Sequence, residues 1–390
     1  MVVFLTNYLN PHQLPFALEM HNLLGEQFLF ISMSRITDMR LKLGFEELDS
    51  KYAFVLKAYE NDEKFQKSIS IVDDCEILIA GSVEDKYLIP RLKKGKITLR
   101  YSERYFRKGY NIKSFLSAMK HLFPFQKYKS LYYLCSSAYT PADLTRYTHF
   151  KNPFFRWGYF PGVVRYLNAD EILTNKMPNS ILWCSRMVEL KHPEVAIEVA
   201  RRLRRDGISF TLTMIGDGEM KQSIDEMINN SGLDECVRLL GSLPPESVRH
   251  EMEKNEVFIF TSDKREGWGA VLNESMNSLC SVVASHEIGA VPFLVKSYEN
   301  GIIYEDGNVD ELYSAVKMLL TDKETRERIA YAAYESMISL WNGEVAARRL
   351  VELITAIKKE ESISLFSDGP CSIAPVLKDN WYDNRSSMRG

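Results

Sequence analysis

The chain has few cysteines and does not group them. The six stand singly at positions 75, 135, 184, 236, 280 and 371, with no CxxC pair and no Cys/His ligand spacing. That excludes a thiol-held zinc module and offers no disulfide framework. Buried free thiols in a reducing compartment are the expectation. No run approaches the ~20 apolar residues that a membrane-crossing helix needs. The first residues, Met1–Thr6, lack the basic stretch and apolar core of a signal peptide, so a cytoplasmic location is expected. Charge of one sign is missing too. Lys and Arg number 49 against 52 Asp and Glu, a net −3, so nothing draws the whole chain to nucleic acid. What is present, 45% hydrophobic and 26% charged residues over 390 positions, is enough for two globular domains.

Strand-like and helix-like stretches alternate along most of the chain, which implies doubly wound parallel sheets. Val2–Thr6 reads as a first strand. It is followed by the turn Asn10-Pro11-His12-Gln13 and then a helix. Ligands of such folds sit beyond the carboxyl ends of strands, which puts Asn10, His12 and Gln13 at a functional position. Residues 151–166 are rich in Pro, Gly and aromatics without periodicity and read as the end of a first domain. The second half repeats strand and helix more regularly, including a helix over Pro193–Arg205.

Three corners of that second half carry chemistry. In the first, Arg186 follows a strand and Lys191 precedes a helix opened by Pro193. Two cations beside a positive helix end suit a diphosphate. The second is Gly216-Asp217-Gly218. It is not GxGxxG, and no acidic residue follows at dinucleotide spacing. The third, Glu266-Gly267-Trp268-Gly269-Ala270-Val271-Leu272-Asn273-Glu274, joins a buried strand to a helix. Its glycines permit close approach of a ligand. Its free amides favour an anion, and its two carboxylates accept from paired hydroxyls. A sugar beside a phosphate satisfies all three demands.

Residues 100–129 interleave Arg100, Arg104, Arg107, Lys108, Lys113, Lys120, Lys127 and Lys129 with aromatics. Ile112, Phe115, Leu116, Met119 and Phe123 fall there at helical spacing. Such a helix lies on an anionic membrane surface, receives an acceptor carrying phosphate, or turns its apolar side to the core, leaving a solvated basic back. The first alternative would put the chain at the inner face of the membrane as a peripheral contact.

Arg186…Lys191, Gly216-Asp217-Gly218 and the EGWGxxxxE stretch together resemble the retaining glycosyltransferases of family 4, of the polysaccharide- and capsule-assembly type. The resemblance covers about residues 178–345. It implies the α/β GT-B fold: two Rossmann-like doubly wound domains facing a central cleft. The first, acceptor-side domain would span 1–168 and the nucleotide-sugar domain 169–345. A helix at 346–365 would cross back to the first domain, with a partly disordered tail at 366–390. It implies a nucleotide-diphosphate sugar donor, UDP-sugar in type, and a glycan or lipid-linked glycan acceptor. No cofactor and no obligatory metal are expected. Arg186 and Lys191 would hold the diphosphate, Glu266 would face the sugar and Glu274 the ribose. Amides of Gly267, Trp268 and Gly269 would bind phosphate and sugar oxygens, and Gly216 and Gly218 would admit the nucleotide. His12 would act from the first domain. A sugar-nucleotide epimerase, a phosphorylase or a non-catalytic binding protein on the same fold are the alternatives.

Overall fold

The computed structural model describes residues 1–42, 44–378 and 380–382. The chain divides into two compact units, Met1–Gly162 with Leu340–Lys378, and Val163–Ser339 with residues 380–382. The sequence put the join near residue 168 and the return near 346. The contacts divide the chain at 162/163 and return it at 340.

In the first unit the strands are β1 Val2–Thr6, β2 Phe28–Ser32, β3 Val55–Lys57, β4 Ile77–Ala80, β5 Thr98–Ser102, β6 Leu131–Cys135 and β7 Phe154–Arg156. They form one sheet in the order β3-β2-β1-β4-β5-β6-β7, and every pairing is parallel. Helices cover both faces of such a sheet, so its central strands are apolar throughout. All five residues of β1 and all four of β4 are buried.

β7 lies in the stretch read from sequence as an aperiodic linker. It has only three residues and no alternation to reveal it. Its outer edge is paired by the tail: Cys371 N donates to Arg156 O (2.8 Å), Arg156 N to Ser372 O (2.8 Å) and Ala374 N to Phe154 O (2.8 Å). The tail around 368–374 is therefore an ordered edge cover, which removes an open strand edge. The helix Gly343–Lys359 also belongs to this unit and packs along the helix Leu14–Leu24. Residues 383–390, expected to be disordered, lie outside the described residues.

The second unit holds β8 Ser180–Cys184, β9 Thr211–Ile215, β10 Val237–Gly241, β11 Val257–Phe260, β12 Ser281–Ser285 and β13 Ile302–Tyr304. Their order is β10-β9-β8-β11-β12-β13, again all parallel. The helix Pro193–Arg205 has the bounds its sequence predicts. It places Ala196, Ile197, Val199, Ala200 and Leu203 in the core, with Arg202, Arg204 and Arg205 toward its negative end. Both halves are thus doubly wound α/β sheets.

Candidate active site

Chain order reverses direction in the second sheet between β8 and β11, because β9 and β10 lie to one side and β12 and β13 to the other. A crevice opens at such a point beyond the carboxyl ends of the strands. The loops flanking it are Ser185–His192, after β8, and Thr261–Gly269, after β11.

These two loops are fastened together. Thr261 Oγ1 donates to Lys191 O (2.6 Å), and Asp263 N donates to Leu190 O (3.1 Å). Arg265 forks onto Asp263, with Nη2 2.7 Å from Oδ2, and reaches Glu189 Oε2 with Nη1 at 3.1 Å. His192 bridges Glu194 (Nδ1 to Oε1, 2.8 Å) and Asp263 (Nε2 to Oδ2, 3.2 Å). The hydrogen bond to Glu194 raises its pKa to about 9; burial opposes and Asp263 adds to the rise. The imidazole is therefore a cation at neutral pH. Its backbone is left-handed (φ 47°) and opens the helix Pro193–Arg205.

Lys191 is buried, and its Nζ pairs with the Glu266 carboxylate. Its ammonium also stands over the Phe260 ring, 5.5 Å from the centroid. Sequence reasoning gave these two side chains separate duties, diphosphate and sugar. In this structure they meet. Arg186, expected beside Lys191, is exposed.

The glycine corner after β9 serves the chain itself. A Cβ on Gly216 would lie 1.8 Å from Ser185 O, and one on Gly218 would lie 2.4 Å from Met187 O. Met187 N donates to Asp217 O (2.9 Å) and Met220 N to Met187 O (2.9 Å). The close approach anticipated for a nucleotide is, at both glycines, an approach to the Ser185–Met187 backbone.

Gly269 opens the helix Ala270–Asn277 in a left-handed conformation (φ 91°). A Cβ there would strike the Phe260 ring at 2.6 Å. Trp268 is a core residue: its ring is buried, and Nε1 donates to Asn273 Oδ1 (2.9 Å). The role expected of it was for its backbone amide; its carbonyl accepts from Ala290 N (3.2 Å). Gly267 is buried beside it. Glu274 lies in the second turn of this helix. Burial drives its pKa up to about 7, with Arg249 pulling the other way. The Cys184 thiol, at the carboxyl end of β8, is pushed up to about 12 by burial. Glu274 raises it further and Lys191 lowers it, so both groups are within electrostatic reach of that strand end.

The first unit has its own polar rim after β1. Asn10 is a turn-former: its Oδ1 accepts from His12 N (3.0 Å) and its carbonyl from Gln13 N (2.9 Å) and Leu14 N (3.0 Å). Gln13 is buried. The His12 ring stacks on Tyr159 with centroids 5.9 Å apart. Burial, and then Arg40, holds its pKa down at about 4, so it is neutral at physiological pH. His12 Nδ1 and Gln13 Oε1 are buried without a hydrogen-bond partner among the described residues.

His192, Asp263, Arg265 and Glu189 were given no role from sequence. The signal was the dense alternation of charge in Glu189–Glu194 and Asp263–Glu266. Pattern alone does not show that the two runs interlock. Among the described residues, no three His, Cys, Asp or Glu side chains gather as a metal site would require.

The model of the family described as "Glycosyl transferases group 1" matches residues 167–336, which cover both crevice loops. The second unit is thus similar, over most of its length, to the group 1 glycosyl transferases. Over 182 residues the chain is 28% identical to the amylovoran biosynthesis glycosyltransferase AmsK of Erwinia amylovora, covering 45% of this chain and 44% of the relative. Over 187 residues it is 25% identical to the putative colanic acid biosynthesis glycosyltransferase WcaL of Salmonella typhimurium, covering 46% of each. The chain thus spans under half the length of these curated relatives. Among solved structures, Anabaena HepE in complex with UDP superimposes with a TM-score of 0.65 at 14% identity, covering 91% of this chain and 99% of that one. That likeness is one of fold: the two-unit α/β architecture is GT-B.

Proposed function

We propose that the protein transfers a glycosyl group from a nucleoside diphosphate sugar to a glycan or lipid-linked glycan acceptor, as a step in building a surface polysaccharide. The observation that carries this is the Lys191–Glu266 pair at the switch point of the unit similar to the group 1 glycosyl transferases. A diphosphate arriving there would find a desolvated ammonium, the exposed Arg186 and the amides opening the helix Ala270–Asn277. Phosphate oxygens would take Lys191 from Glu266, releasing the carboxylate toward the hydroxyls of the sugar. Glu274 would accept from the ribose. UDP-sugars are the first donors to test, since HepE was solved with UDP. The likeness to AmsK and WcaL favours a surface-polysaccharide acceptor.

The reaction breaks the bond between the anomeric carbon and the diphosphate oxygen and forms one to the acceptor hydroxyl. The hydroxyl proton passes to the departing diphosphate. Attack on the face the diphosphate leaves retains the anomeric configuration. Positive charge at Lys191 and Arg186 would then be the main catalytic term, as donors aimed at developing charge usually are. No protein carboxylate is needed as nucleophile and no metal is assigned a step. The neutral His12 imidazole of the first unit is assigned to an acceptor hydroxyl. The reaction is placed on the cytoplasmic side.

The test is incubation with a panel of nucleotide sugars and oligosaccharide or lipid-linked acceptors, with the product's anomeric configuration read by NMR. A retained configuration supports the reading. Inversion would remove the front-face step. Donor consumed without a glycosylated product would point to an epimerase, and phosphate-dependent turnover to a phosphorylase.

A further inference from the structure

We infer that the outer face of the helix Ile112–His121 docks the protein on an anionic bilayer. The usual surface helix turns its apolar stripe inward. This one does the reverse. Its body side is made of Ser114 and Ala118, both buried, while Ile112 is 69% exposed, Leu116 58%, Met119 50% and Phe115 37%. At about 100° per residue those four side chains share an arc of about 100°. Lys113 and Lys120, both exposed, adjoin one edge of it. That is the layout of a helix lying in a lipid interface, with apolar side chains down and cations level with the headgroups.

The outward face does not come from a frayed segment. Asn111 Oδ1 accepts from Lys113 N (2.9 Å) and Ser114 N (3.1 Å), and Ser114 Oγ accepts from Asn111 N (2.7 Å). This capping box fixes the helix start. Ser114 Oγ lies 3.2 Å from Tyr147 OH. The Phe115 ring meets Tyr147 edge-on at 5.4 Å, which carries the apolar surface onto the next helix. Buried Asp143 accepts from Tyr105 N (2.7 Å), Phe106 N (3.0 Å) and Tyr110 OH (2.9 Å), so the loop before the helix is fixed as well.

Charge decides the occupant. Between Glu103 and Asp143 there is no acidic residue and there are seven lysines and arginines. Among the described residues no carboxylate comes within ion-pair distance of Lys108, Lys113, Lys120, Lys127 or Lys129. A chain of net charge −3 thus holds, around its exposed apolar helix face, five lysines with no carboxylate partner among the described residues. A second copy would bring the same cations against these. An anionic lipid surface offers both the apolar layer and the opposite charge.

Vesicle flotation tests this without any sugar donor, so its result is independent of the glycosyl-transfer reading. The full chain should float with vesicles containing phosphatidylglycerol, little with phosphatidylcholine alone, and less with the anionic vesicles as salt is raised. Lys113→Glu with Lys120→Glu should lower partitioning at least about tenfold. Ile112→Asp with Leu116→Asp should abolish binding with the melting temperature unchanged, since both side chains already face solvent. Three results would each overturn the inference. They are no flotation at low salt, equal flotation on neutral and anionic vesicles, and a concentration-dependent dimer that Leu116→Asp dissociates.

Discussion

The Lys191 ammonium and the Glu266 carboxylate are in contact across the switch point of the second sheet, and both side chains are mostly buried. Removing either partner would leave the other in a mostly buried place without its ion-pair contact. On the proposed reading a diphosphate takes the place of the Glu266 carboxylate beside Lys191. Lys191→Ala should therefore lower turnover by roughly 100- to 1000-fold. It should cost about 3–5 kcal/mol of stability, because Glu266 is left mostly buried without its partner. Steady-state kinetics and thermal unfolding on the same preparation separate the two effects.

The His192 bridge to Glu194 and Asp263 gives an alkaline limit. Its folded pKa, about 9, lies above the ordinary value of 6.5. The stabilisation is then fully present below pH 6.5 and is lost as pH rises through about 9. Melting temperature and donor affinity should hold to near neutrality and decline toward pH 9 to 10. His192→Gly keeps the left-handed backbone and should flatten this decline while starting from a lower value. Unfolding curves across that pH range check it.

Glu274 makes the opposite limit. Its folded pKa of about 7 exceeds the ordinary 4.5 because burial penalises the carboxylate. Raising pH from 4.5 to 7 ionises the unfolded chain first, so this group subtracts stability across that window. On the proposed reading the ionised carboxylate is the stronger acceptor for ribose hydroxyls. Nucleoside diphosphate affinity should rise from pH 6 to 8, more steeply in the wild type than in Glu274→Gln. Calorimetric titration of both proteins gives the difference in slope.

Gly216 holds the Ser185–Met187 loop by backbone contact. Gly216→Ala would force a Cβ to within 1.8 Å of Ser185 O. A loss of more than about 1 kcal/mol is expected, because alanine also fits the positive φ poorly. Nucleotide affinity should fall with it as Arg186 moves. Denaturant unfolding and nucleotide titration check the pair of effects.

Much of the fold was legible because strand and helix periods are local. The helix Pro193–Arg205 has its proline at the first turn and its arginines in the last, and the structure keeps both. The corner from Glu266 to Glu274 was legible because two glycines and two acids cluster in nine residues. The Lys191–Glu266 contact was not, since it joins loops 75 residues apart. β7 was hidden because its three residues owe their pairing partly to the tail around Ser372. The helix Ile112–His121 was found, but its orientation was not. Ile112, Phe115, Leu116 and Met119 give the same period whether they face the core or the solvent.

The measurement that bears most directly on the central claim is calorimetric titration of UDP and UMP into the wild type and into Lys191→Ala. The account predicts that the wild type binds the diphosphate more tightly than the monophosphate, and that Lys191→Ala loses most of that preference while still folding. Equal affinity for UDP and UMP in the wild type, or a preference that survives in Lys191→Ala, would contradict it.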